Sequence, residues 1–105
     1  MIGGDTIRQA VKLLQAAAPG ATVILFGSYG RGDARMESDL DFLVVEPEVP
    51  ARRREMVRLR DVLRPLGIPA DVLVVSRKTF ADWADTPGTA LYQAAREGRI
   101  FEAAT

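Results

Sequence analysis

The chain has 105 residues, 48% hydrophobic and 27% charged, which suits one globular domain over 1–105 and excludes a disordered polymer. Lys and Arg number 14 and Asp and Glu 14, so the net charge is zero and strong direct nucleic-acid binding is not expected. There is no cysteine and no histidine, which excludes disulfides and thiolate or imidazole catalysis, and leaves oxygen donors for any metal, the preference of hard ions such as Mg²⁺.

No apolar run is long enough to span a membrane. Acidic Asp5 and short apolar groups do not make a signal peptide, so a cytoplasmic residence is expected.

A first helix is expected from about Asp5, a residue type suited to an N-cap. Ile7, Ala10, Val11 and Leu14 recur at helical spacing and would face a core. Pro19-Gly20 ends it. Thr22 to Phe26 reads as a buried strand that stops at Gly27, and Gly30 and Gly32 mark a tight loop or a short helical turn. Asp39 to Val45 reads as a second strand, stopped by Glu46-Pro47. Pro50 suits the opening of a second long helix, with Met56, Leu59 and Leu63 as its apolar stripe and Pro65 and Gly67 at its end. Ala70 to Val75 is a third strand, and Thr79 to Ala84 a short helix carrying Trp83. After the turn at Thr86-Pro87-Gly88, a last helix runs to about Arg96, capped by Gly98, and Ile100-Phe101 adds a short edge strand.

The first strand ends at Gly27, whereas Asp39 and Asp71 begin theirs. If these points meet, the first strand is antiparallel to the other two, and the arginine-rich helix crosses between a parallel pair. The expected class is α+β: a small mixed sheet with packed helices and a site at one end.

The acids carry the chemistry. Asp39 and Asp41 are two residues apart on a strand, so their side chains share a face, about 6.6 Å apart along the backbone. Such a pair can grip one cation or two neighbouring ones; without a cation the anions repel. Asp71 opens a neighbouring strand and can complete the group. Three carboxylates suit two metals roughly 3.5–4 Å apart, which hold both oxygens of an in-line phosphoryl displacement. Gly27-Ser28 supplies the phosphate half: glycine admits close backbone N–H approach, and serine adds a hydroxyl donor. Arg31 can reach the same phosphates with its fork of donors. The loop lacks the Gly-Lys-Ser/Thr ending of a P-loop.

Each part has an ordinary reading too. Gly27-Ser28 can be a plain strand-to-turn junction, Asp39 and Asp41 solvated strand-start residues, and Asp71 a turn residue. The combination is less easily dismissed. Gly-Ser, ten residues, then Asp-x-Asp should arise by chance in roughly one chain of this length per thousand. Aspartate is also disfavoured in strands, so two at the head of an apolar run call for a reason.

At these residues the sequence resembles the DNA polymerase β-like nucleotidyltransferase superfamily, and within it the minimal nucleotidyltransferases. The matching text is Leu25-Phe26-Gly27-Ser28-Tyr29-Gly30-Arg31-Gly32, then Glu37-Ser38-Asp39-Leu40-Asp41-Phe42-Leu43-Val44, and Ala70-Asp71-Val72-Leu73-Val74-Val75. Gly88 to Gly98 is similar to the family's usual final helix, and Gly30 stands where the family often has alanine. The resemblance implies that Asp39, Asp41 and Asp71 bind Mg²⁺ and that Gly27 and Ser28 hold the β,γ-phosphates of ATP. It also implies that Asp71 helps deprotonate the acceptor hydroxyl. Small domains of this kind resemble the antitoxin of HEPN/MNT toxin–antitoxin pairs, which transfers AMP to a tyrosine of its HEPN ribonuclease partner. A hetero-oligomer with that toxin is the implied assembly. A binding antitoxin without catalysis, or transfer to a small-molecule hydroxyl, are the competing readings.

Six arginines crowd Arg52 to Arg64. With Glu55 and Asp61 interspersed they suit a solvated helix face, or a partner-docking surface, better than an RNA site. Trp83 and Tyr92 are expected to pack rather than to stack on a ligand. Tyr29, inside the loop, can either touch nucleotide or acceptor or pack the loop.

Overall fold

Helix α1 (Gly4–Ala17) buries Ile7, Ala10, Val11 and Leu14, the stripe its spacing demands. In the computed structural model, which describes residues 1–103, the helix begins earlier than expected. The last two residues of the expected 1–105 domain lie outside the described residues. The N-cap is Gly3, not Asp5. Asp5 sits in the first turn and bonds Arg8 one turn on, so its carboxylate favours the helix dipole without capping.

Four strands form one mixed sheet: β1 (Thr22–Phe26), β2 (Leu40–Glu46), β3 (Ala70–Ser76) and β4 (Arg99–Phe101), in the order β3-β2-β1-β4. β1 is antiparallel to β2 and β4, and β2 is parallel to β3. Parallel neighbours need a crossover, and α3 (Arg52–Val62) supplies it. The expected α+β class and strand directions hold.

Several boundaries move by a residue or two. β2 begins at Leu40, whose N–H donates to the Pro69 carbonyl at 2.9 Å, so Asp39 lies just before the strand. Pro50 lies ahead of α3 rather than opening it, because Ala51 at φ −136° is not helical. Helix α4 (Arg77–Trp83) begins two residues before Thr79, because the Ser76 hydroxyl caps it by accepting the Thr79 N–H. Helix α5 (Ala90–Glu97) is capped in the same way by Thr89 on the Tyr92 N–H.

Alternation along the strands divides two cores. On one face α1 and α3 cover Val23, Leu25, Phe42, Val44 and Val74, with Leu59 fully buried. On the other face α4 and α5 cover Ile24, Phe26, Leu43, Val45 and Val75. Full burial of a side chain such as Phe42 or Leu14 contributes about 1.5–3 kcal/mol, enough to set the register against a one-residue slip. Asp41 and Asp71 stand on the α4/α5 face by the same alternation. Among the described residues, no helix is long and apolar enough to cross a membrane.

Candidate active site

β1 runs straight into α2 (Gly27–Arg31), a single helical turn, one of the two forms expected of this segment. Gly27 has φ +67°, and a Cβ there would strike the Asp41 carboxylate. Both the left-handed backbone and the close approach therefore require glycine. A Cβ at Gly30 would stand 2.5 Å from the Leu25 carbonyl oxygen, so α2 lies tightly on the strand that leads into it. Gly32, with φ +84°, closes the turn. The leading N–H groups of α2 have no partner within the helix and can meet an anion.

The pairing register then gathers the acids. Asp41 is the partner of Phe26 on one side and of Asp71 on the other. Paired residues on neighbouring strands project to the same face, about 4.8 Å apart. Asp39 lies two residues upstream. Burial raises the Asp41 carboxyl above its ordinary range, and the charges of Asp71 and Asp39 raise it further; the Arg31 guanidinium opposes them. Asp41 thus feels all three of its expected companions.

The third acid has an arginine partner of its own. Asp71 Oδ1 accepts from Arg60 Nη2 at 3.2 Å, and Asp39 lies in an adjoining hollow with Arg60, Arg64 and Asp71. Among the described residues, no three carboxylates converge closely enough to form a ready metal cluster. The donor set nonetheless fits a hard divalent cation. All its donors are carboxylates, and the mutual repulsion that raises Asp41 is what a cation would relieve.

Arg31 spans Asp33 at 3.3 Å and Glu97 at 3.7 Å, which ties α2 to α5 while leaving the guanidinium exposed. Tyr29 is buried, and its hydroxyl accepts the Ile2 N–H at 3.0 Å, so it packs the turn and does not face the cleft. Trp83 departs from expectation: 51% of it is exposed, beside an apolar groove. Tyr92 is half-buried with the Arg96 guanidinium 5.1 Å over its ring.

A cleft of about 530 Å³ opens over Phe26, Gly27, Asp41 and Asp71. Its walls include Gln93 from α5, and Arg53, Met56, Val57 and Arg60 from α3. The sequence reading did not single out these wall residues. A signal existed: Arg53, Met56, Val57 and Arg60 fall at helical spacing on the crossover to the strand that carries Asp71. Elsewhere on α3, Arg58 pairs with Glu55 and Arg64 with Asp61, as the solvated-face reading expects.

A Gly-Ser turn pressed on an aspartate, with a second aspartate in register on the next strand, defines the nucleotidyltransferase class of site. The chain belongs to the nucleotidyltransferase domain family, whose profile matches residues 5–100. It is 38% identical over 52 residues to a protein of Methanocaldococcus jannaschii named "putative protein adenylyltransferase". That match covers 50% of this chain and 52% of the relative, so the chain spans about half the length of the curated relative it matches. In fold the chain is similar to a chain of a toxin–antitoxin crystal structure with AMP-PNP, with a TM-score of 0.63 and 19% identity. The likeness covers 94% of this chain and 72% of that one.

Proposed function

We propose that the protein is a Mg²⁺-dependent adenylyltransferase that moves AMP from ATP to a hydroxyl, namely a tyrosine of a HEPN ribonuclease toxin, and so acts as an antitoxin. The observation that carries the reading is the contact of Gly27 with the Asp41 carboxylate, with Asp71 in register beside it. The name of the archaeal relative and the toxin–antitoxin assembly of the structural neighbour support it.

Gly27 and Ser28 at the start of α2 would hold the β,γ-phosphates, with Arg31 nearby. Asp39, Asp41 and Asp71 would hold Mg²⁺, which when bound supplies charge neutralisation at the phosphates. Asp71 would take the proton of the acceptor hydroxyl. The acceptor oxygen bonds the α-phosphorus, the bond from that phosphorus to the bridging oxygen breaks, and pyrophosphate leaves with the electron pair. Modified tyrosine would bring a negative charge and bulk against incoming RNA, which accounts for neutralisation.

The test is transfer from α-labelled ATP to the co-purified toxin in the presence of Mg²⁺. Asp39→Asn and Asp41→Asn should each abolish labelling. Equal labelling by those variants would refute the proposal. Rescue of cells by a variant that binds toxin but transfers nothing would assign the activity to occlusion instead.

A further inference from the structure

Next to the acid-lined cleft lies a second groove of about 370 Å³ on the same face of the sheet. Arg52, Leu73, Val75, Trp83 and Leu91 are among its walls, and Leu73 is shared with the cleft. The two hollows thus meet along β3. From Asp71 to Val75 the strand runs about 13 Å. We propose that this groove seats the polypeptide that carries the acceptor hydroxyl. An apolar side chain of that segment packs on Trp83 and Leu91, an acidic one meets Arg53, and the hydroxyl reaches Asp71. The inference rests on the transferase reading and places the acceptor segment beside the same site.

Four observations lead here. The first is direction. In-line displacement puts the attacking oxygen opposite the leaving pyrophosphate. Gly27-Ser28 follow β1, and the strand order puts β3 on the far side of Asp41. The acceptor therefore arrives over β3, where the groove begins. The second is Trp83. A tryptophan left 51% exposed against an apolar groove is the residue type that anchors protein partners.

The third is charge. Arg58, Arg60 and Arg64 each face a carboxylate, at 2.7, 3.2 and 2.8 Å. Arg53 lines the cleft and makes no ion pair or hydrogen bond to any described residue. An acidic group is its complement. The fourth is the sheet edge. Arg52 Nε donates to the Val74 carbonyl at 2.8 Å and so blocks part of the open edge of β3. That favours docking through side chains over addition of a strand. An apolar groove whose lining arginine, Arg52, is bonded to a backbone carbonyl also differs from the cationic track that binds a polynucleotide.

The test uses the whole protein with ATP, Mg²⁺ and two synthetic peptides. Both carry a tyrosine and a leucine four residues apart, matching the groove length in extended form. One has Asp and Glu between them, the other Lys. The acidic peptide should be labelled in preference. Trp83→Ala and Arg53→Glu should each raise its KM by at least about tenfold, the loss of an interface anchor. Trp83→Ala, which lies outside the cleft, should leave AMP-PNP binding unchanged. Both side chains are exposed, so folding is not at stake. Equal labelling of the two peptides with unchanged KM in both variants would overturn the inference. So would labelling of an RNA oligonucleotide or a polyol but no peptide, or no peptide labelling while AMP-PNP still binds. Loss of AMP-PNP binding in the unaltered protein would overturn the transferase reading itself, and this inference with it.

Discussion

Glu46 offers a quantitative test of the fold away from the chemistry. It ends β2, five residues beyond Asp41, at the opposite end of the sheet from the site. Its Oε2 is buried and meets no donor among the described residues. Burial, and then the Glu55 carboxylate beside it, push its carboxyl up from 4.5 to about 7. Glu55 moves the other way, to about 2, because Arg58 grips both its oxygens at 2.7 Å. Arg58 also donates to the Ala17 carbonyl at 2.9 Å, so the cluster joins α3 to the end of α1.

The signs follow from linkage. Glu55, with its folded value depressed, contributes stability above its unfolded value of 4.5, lost as pH falls towards 2. Glu46, with its folded value raised, contributes stability that is complete below 4.5 and lost as pH rises through about 7. At about 1.4 kcal/mol per pH unit, the ceiling on the Glu46 loss is about 3 kcal/mol. Its partial contact with solvent reduces this to roughly 1–2 kcal/mol. Glu46→Gln keeps a donor towards Glu55 at every pH. The variant should match the unaltered protein near pH 5 and exceed it by roughly 1–2 kcal/mol at pH 8, read by urea unfolding across that range. Parallel stability curves from pH 5 to 8 would refute the reasoning.

Two glycines give complementary tests. Gly27→Ala must adopt φ +67° and displace the Asp41 carboxylate, so it should cost about 1–2 kcal/mol in stability. Nucleotide transfer should fall roughly a hundredfold, as for a misplaced reacting group. Unchanged transfer by folded protein would separate Gly27 from the site. Gly98 has an ordinary extended backbone at φ −76°, yet a Cβ there would meet the Ala94 carbonyl and the Ile24 side chain. Gly98→Ala should therefore lower stability by about 1–3 kcal/mol through overpacking, with a shifted melting temperature and little effect on initial nucleotide binding.

The strands, the helices and the acidic motif were legible in the sequence because each rests on a local pattern of residue types. Short β-branched apolar runs marked β1, β2 and β3, and the 3.6-residue stripe marked α1. Helix starts were less legible. The fold took Gly3, Ala51, Ser76 and Thr89 as N-caps, whereas composition favoured Asp5 as a cap and Pro50 as the first helical residue. Those choices depend on where the chain arrives from the preceding element, which no local pattern encodes.

The Gly-Ser and Asp-x-Asp spacing, and the limit to oxygen ligands, were properties of the sequence alone. Only the tertiary structure set Asp41 in register with Asp71, pressed Gly27 on Asp41, and gave Asp71 to Arg60. It also left Trp83 outside the core and Tyr29 within it, the reverse of what aromatic scarcity suggested for tryptophan. The physical reason is the order of the strands. Pairing β3 to β2, and wrapping α3 past the edge of β3, brings residues from distant parts of the chain to one cleft. Sequence spacing determines which groups can do the chemistry; strand order determines which of them meet.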